Sequence, residues 1–207
     1  MSKEKETNTS SASPSTGASA AIFDYFEMFV FAAVTVILLM TFALRMCVVS
    51  GPSMNNTLLN GERLLVSDLF YTPKQGDIIV FHQTSEIDDR FNEPIVKRVI
   101  ATGGEFVKID YVANKVYVSS DNVFEEDEVL DESTYAHFER PNGAWRESAT
   151  SDFDIFEVPE GHLFVMGDNR NVSADSRSVQ VGFVDERRVL GKVLFRITPF
   201  EKFGKVE

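Results

Sequence analysis

From Met28 to Leu44 the chain runs 17 residues without a charge, and no polar position recurs at the spacing that would give a helix one wet face. A helix apolar all the way round belongs in lipid or in a core, and 17 residues stand at the short end of a membrane span. Phe23, Tyr25 and Phe26 before the run and Met46 to Val49 after it lengthen it, with Arg45 able to snorkel outward. A core helix would show a polar stripe. A cleaved leader would have a shorter apolar region followed by a small-x-small site, where Arg-Met-Cys-Val-Val stands. A lipid-modified Cys47 would want small residues before it, where Arg45 and Met46 stand. The pattern therefore predicts one retained transmembrane helix, with its flanks over residues 22–49. Residues 1–21 are rich in Ser, Thr, Ala and Gly, and read as a disordered tail.

Beyond Ser50 the period changes. ERLLVSDLFY (62–71), QGDIIVFHQ (75–83) and EPIVKRVIA (93–101) are short runs rich in Val, Ile and Phe between Gly, Pro or Asp, the signature of strands. Residues 106–120 alternate on both sides of Ala113-Asn114-Lys115, which predicts a hairpin. Residues 119–157 are acidic, aromatic and poorly periodic, with Pro141-Asn142-Gly143, and read as a loop-rich insertion or small lobe. Strands resume at HLFVMGD (162–168) and VLGKVLFRI (189–197). No helix long enough for a βαβ unit intervenes, so residues 50–207 are expected to form one mainly antiparallel β domain.

Composition narrows the partners. The net charge is −12, and eleven of those negative charges fall in residues 50–207. With no basic stripe, nucleic acid is excluded as a partner, and the acidic surface favours solubility. Cys47 is the one cysteine and cannot form an internal disulfide. His82, His137 and His162 are scattered without ligand spacing, so no metal or other cofactor is implied.

Three polar segments adjoin these apolar runs. Gly51-Pro52-Ser53 follows the span; as a Gly-Pro-Ser turn it needs no function. A serine becomes a nucleophile only beside a base, and no histidine here lies in a suggestive motif. A lysine serves if burial keeps its amine neutral. Lys97 is the candidate, with Ile95-Val96 before it and Val99-Ile100 after it. It could also point outward on a half-buried strand. Side chains alternate across a strand, so either Lys97 or Arg98 turns toward the core. Arg98 is expected to matter far less to chemistry. The third segment, GDNRNVSADSR (167–177), reads as a tight hydrogen-bonded loop in which Asp168, Asp175, Arg170 and Arg177 could pair with one another at the surface.

Together, SGPSMNNTL (50–58), GDIIVF (76–81), VKRVI (96–100) and GDNRNVSADSR (167–177) resemble the ordered boxes of bacterial type I signal peptidases, also called leader peptidases. The single span and compact size look like the Gram-positive type. The resemblance implies a membrane-bound serine endopeptidase, with preprotein signal peptides and membrane lipid as partners. By the same resemblance Ser53 would be the nucleophile, with its backbone N–H an oxyanion donor, and Lys97 the general base. Ser173 would orient the lysine amine, Asp175 and Arg177 would form a structural ion pair, and Met54 would line the substrate cleft. Gly167 opens the last box. In some relatives a serine two positions before the nucleophile serves the oxyanion hole; that position is Gly51, and Ser50 stands beside it as a supporting residue. Asn56 replaces the usual Pro, and Ala101–Glu105 departs from the commoner Gly-x-Pro-Gly-Asp/Glu. The resemblance also implies cleavage after small-x-small sites, a cytoplasmic N-terminus and an extracytoplasmic domain. Lys3 and Lys5 agree with that orientation, Glu4 and Glu6 dilute the signal, and Arg45 opposes it. A self-cleaving Ser-Lys repressor would carry a DNA-binding domain where this chain has its span. A catalytically silent, membrane-tethered β domain that binds partners is the rival of another class.

Overall fold

The structure, a computed structural model, describes residues 17–83, 93–137 and 152–206. Most of the expected N-terminal tail and the Pro141-Asn142-Gly143 turn lie outside the described residues. The chain divides into two units, Met1–Thr41 and Phe42–Glu207.

The first unit carries helix α1, Ala18–Phe42. Its stretch Ala21–Leu39, 19 residues, is long and apolar enough to cross a membrane. At 1.5 Å per residue that stretch rises about 28 Å, close to the ~30 Å hydrocarbon thickness of a bilayer. Thr35 and Thr41 donate to the carbonyls of Phe31 and Ile37, 2.8 and 2.7 Å away, so their hydroxyls are satisfied within the helix, as a lipid environment demands. The helix starts earlier than the uncharged run and takes in Ala18–Ala21 from the expected tail. It also stops at Phe42, before the expected flank ends. Residues 45–48 are strand rather than span, because pairing with a neighbouring strand claims them.

That strand, β1 (Arg45–Val48), opens the second unit and runs antiparallel to β2 (Arg63–Ser67). The further strands are β3 (Ile78–His82), β4 (Pro94–Ala101), β5 (Phe106–Asp110), β6 (Lys115–Ser119), β7 (Phe153–Glu157), β8 (His162–Met166), β9 (Val184–Asp185), β10 (Val189–Thr198) and β11 (Gly204–Lys205). The large sheet has the order β1-β2-β10-β3-β4-β8-β9, with β11 on β10; a second sheet has the order β6-β5-β7. All the strand pairings are antiparallel. The β5–β6 hairpin turns through Tyr111–Asn114, where Asn114 takes φ 54°, a left-handed conformation that Asn tolerates. β7 falls inside the expected loop-rich lobe. Its Phe-Asp-Ile-Phe-Glu sets two apolar residues side by side, so it shows no clean alternation, and it follows an acidic, aperiodic stretch.

Three apolar clusters cover both faces of the large sheet. Ile78 and Val80 pack with Leu64, Val66, Met54 and Leu58, while Ile79 and Phe81 pack with Val99, Leu163 and Val165. The third cluster, around Ile100, Val107, Ile109 and Phe164, joins the small sheet to the large one. Each such side chain contributes about 1.5–3 kcal/mol on burial. β4 lies inside the sheet between β3 and β8, which is why Lys97 and Arg98, facing opposite ways, are each only 3 % exposed. The sequence required one of them to face inward; with both faces covered, both do.

Candidate active site

The segment after β1 folds back as a closed loop. Val49 N–H donates to the Glu62 carbonyl and Gly61 N–H to that of Val49, both at 2.9 Å, and Gly51 takes φ 85°, which costs a glycine little. Asn55 N–H bonds the Pro52 carbonyl at 3.1 Å and Leu58 N–H that of Met54 at 2.8 Å. Met54 and Leu58 are buried among Val66 and Ile78 and anchor the loop. Met54 therefore belongs to the core instead of the expected cleft, because its apolar side chain turns beneath the loop while Ser53 turns outward.

Lys97 Nζ stands 2.8 Å from Ser53 Oγ and 3.1 Å from the Val96 carbonyl oxygen. Burial lowers the Lys97 amine from 10.5 to about 8; the Asp175 carboxylate works against that, the Arg177 cation with it, and Asp168 against it. A groove of about 330 Å³ opens here, lined by Ser50, Pro52, Ile95, Val172 and Ala174 beside Ser53 and Lys97. A larger cavity, about 540 Å³, between Gln75–Ile78 and Lys192–Phe195 contains neither residue, so size does not select the site. Ser53 N–H makes no hydrogen bond among the described residues.

The loop 167–177 closes on the Ser53 segment. Asn169 N–H donates to the Ser53 carbonyl at 3.0 Å. A Cβ at Gly167 would stand 2.3 Å from Ser173 Oγ and 2.4 Å from the Ser53 carbonyl oxygen, so only glycine fits there. Asp175, fully buried, accepts from Gly167 N–H at 3.0 Å and from Arg177 Nε at 2.7 Å. Burial alone would raise its carboxyl; the Arg177 cation and its hydrogen bonds hold it lowered instead. Ser173 packs its hydroxyl against Gly167 and beside the Asp175 carboxylate, which it helps to hold lowered; the hydrogen bonds of the Lys97 amine among the described residues go to Ser53 and Val96. Ser50 is exposed on the groove wall.

The four charges of the loop do not pair at the surface. Asp168 turns inward to Arg98, accepting from Nε at 2.9 Å and Nη2 at 2.8 Å, and also accepts from Thr57 Oγ1 at 2.5 Å. Arg170, 1 % exposed, pairs with Glu132. Nothing in the sequence spacing links Thr57, Arg98 and Asp168, or Glu132 and Arg170. Among the described residues no three His, Cys, Asp or Glu side chains gather where a metal ion could be held.

Comparison with known proteins adds an independent line. The family model described as signal peptidase, peptidase S26, matches residues 22–198. A signal peptidase I from Bacillus licheniformis is 30% identical over 210 residues, covering 100% of both chains. A signal peptidase IB from Staphylococcus aureus is 32% identical over 168 residues, 75% of this chain and 78% of its own. Among solved structures, a signal peptidase I from Enterococcus faecalis is 29% identical and covers 59% of this chain and 97% of its own, with a TM-score of 0.37.

Proposed function

The chain belongs to the signal peptidases, peptidase family S26, and from that premise we propose that it cleaves preprotein signal peptides with Ser53 as nucleophile and Lys97 as general base. The observation that carries this reading is a buried lysine amine, lowered to about 8, placed 2.8 Å from a serine hydroxyl. In its neutral form Lys97 Nζ takes the Oγ proton as Oγ attacks the scissile carbonyl carbon. The developing oxyanion is met by the free Ser53 N–H. Collapse breaks the C–N bond, Lys97 returns the proton to the leaving amine, and an acyl ester remains on Ser53. Water, deprotonated by Lys97, then attacks the ester and releases the carboxylate. Asp175 and Arg177 hold the loop that supports Ser53, and Gly167 permits its close approach.

An extended substrate would lie along the groove, where Pro52, Ile95, Val172 and Ala174 leave an apolar wall suited to small side chains at −1 and −3 from the cut. The purified full chain in detergent is expected to cut a preprotein with Ala-x-Ala at its cleavage site and to reject Phe at −1 by clash, while Ser53→Ala cuts neither. Cleavage by Ser53→Ala, or equal cleavage of both substrates, would sink the reading.

α1 would anchor the chain in the lipid bilayer as a single span, with the N-terminus cytoplasmic and residues 50–207 outside, where exported substrates emerge. Protease added to intact spheroplasts should digest the C-terminal domain. Protection until lysis would reverse the orientation.

A further inference from the structure

Residues 167–170 are held from two sides. On one side they carry the nucleophile segment, through Asn169 N–H on the Ser53 carbonyl at 3.0 Å and Asp168 on Thr57. On the other they meet residues 132–137, which belong to the segment between β6 and β7 and take no part in the reaction as derived above. His137 N–H donates to the Asp168 carbonyl at 2.7 Å, and Arg170 N–H donates to the His137 carbonyl at 3.1 Å, a one-rung parallel bridge. The Tyr135 ring lies 3.9 Å from the Arg98 guanidinium carbon, and Arg98 holds Asp168.

Glu132 fixes this second side. It is 8 % exposed and receives both terminal nitrogens of Arg170, Nη1 on Oε2 at 2.7 Å and Nη2 on Oε1. Its own carbonyl accepts from Tyr135 N–H and Ala136 N–H, at 3.2 and 2.9 Å, closing the turn that delivers His137 to the loop. Arg170 Nε reaches back to the Gly167 carbonyl at 3.1 Å, and Gly167 is the residue pressed against the Ser53 carbonyl. A path of direct contacts thus runs from Glu132 through Arg170 and Gly167 to the backbone of the nucleophile. A bidentate carboxylate–guanidinium pair fixes direction as well as distance.

We propose that Glu132 is a positioning residue: by clamping Arg170 it sets the height of the 167–170 backbone, and through it the approach of Ser53 Oγ to the scissile carbonyl. The inference rests on the Ser53–Lys97 reading above. It assigns a task in catalysis to the segment between the hairpin and β7, outside the four boxes.

A merely structural pair would lower stability and leave turnover per folded molecule alone. A positioning residue loses turnover even where the protein is fully folded, since a displacement of about 1 Å costs around a hundredfold in rate. In the full chain in detergent, well below each variant's melting temperature, Glu132→Gln is expected to lower kcat about tenfold and Glu132→Ala about a hundredfold. KM should stay within about twofold, and the acid limb of the pH profile should keep its midpoint, because Lys97 is untouched. The paired substitution Glu132→Leu with Arg170→Met removes both charges, an exchange that often leaves a fold as stable as before. It should restore the melting temperature without restoring kcat, and it decides the matter if Glu132→Ala does not fold. Wild-type kcat in Glu132→Ala, or in the paired variant, overturns the proposal. Ser53→Ala is the control: if it remains active, the Ser53 reading itself fails, whereas an inactive Ser53→Ala beside a fully active Glu132→Ala removes only the inference about Glu132.

Discussion

Lys97→Ala is expected to lower kcat by roughly a thousandfold or more while the protein stays folded. Among the described residues the amine is the basic group bonded to Ser53 Oγ, 2.8 Å away, and removing it takes away the proton acceptor on which the proposed chemistry depends. Lys97→Arg should fail as completely, because a guanidinium stays protonated. In the wild type the reactive form is the neutral amine, so kcat/KM should climb with pH, bend at about 8 and level off above it. At pH 7 only about a tenth of the molecules would carry the neutral base. The stability consequence has the opposite sign from that of a salt-bridged lysine. Its amine is lowered in the fold from 10.5 to about 8, so the unfolded chain binds the proton more tightly. Below pH 8 the fold therefore bears the full cost of a buried ammonium, on the order of 3 kcal/mol. That cost fades as pH rises from 8 toward 10.5. Lys97→Met, which keeps the volume and drops the charge, should accordingly melt at a temperature no lower than wild type at pH 7. Substantial activity in Lys97→Ala with an unchanged acid limb would remove Lys97 from the chemistry.

The legibility of this chain follows the range of the interactions involved. Strands β2 to β6, β8 and β10 were readable because their Val, Ile and Phe runs are bounded by turn residues, a local signal. β1 was not, since Met46–Val49 continue an apolar stretch and only pairing with Leu64 and Leu65 makes Met46 and Cys47 strand. Ser53, Lys97 and the 167–177 loop could be singled out because each sets polar chemistry against an apolar run. Met54 was given its place in the cleft by the resemblance alone, and no local pattern marks that the turn directs its side chain into the core. Asp175 and Arg177, two residues apart, were paired through the resemblance, but the partners of the buried Arg98 and Arg170 could not be found. Arg98 reaches Asp168 across 70 residues and Arg170 reaches Glu132 across 38, and no periodicity spans such separations.

Arg98 illustrates what that blindness costs a sequence-based expectation. The expectation that it matters far less to chemistry than Lys97 says nothing of its part in stability, where its guanidinium is 4 % exposed against an Asp168 carboxylate that is wholly buried. Removing one partner of such a pair strands the other charge in the interior, a loss of about 3–5 kcal/mol. The Arg45–Asp68 pair, at 3.5 Å with 49 % and 41 % exposure, is worth only about 0–1 kcal/mol. Denaturant unfolding of the full chain in detergent should therefore rank Arg98→Ala as strongly destabilised and Arg45→Ala as near wild type. Asp168→Asn added to Arg98→Ala should recover part of the loss, because the stranded charge is gone, although Thr57 then keeps only a neutral acceptor. The effect on chemistry should remain smaller than that of Lys97→Ala, for Arg98 faces away from Ser53 and acts by holding Asp168 under Thr57. An Arg98→Ala variant that unfolds within 1 kcal/mol of Arg45→Ala would mean that the pair contributes nothing to the architecture around Ser53.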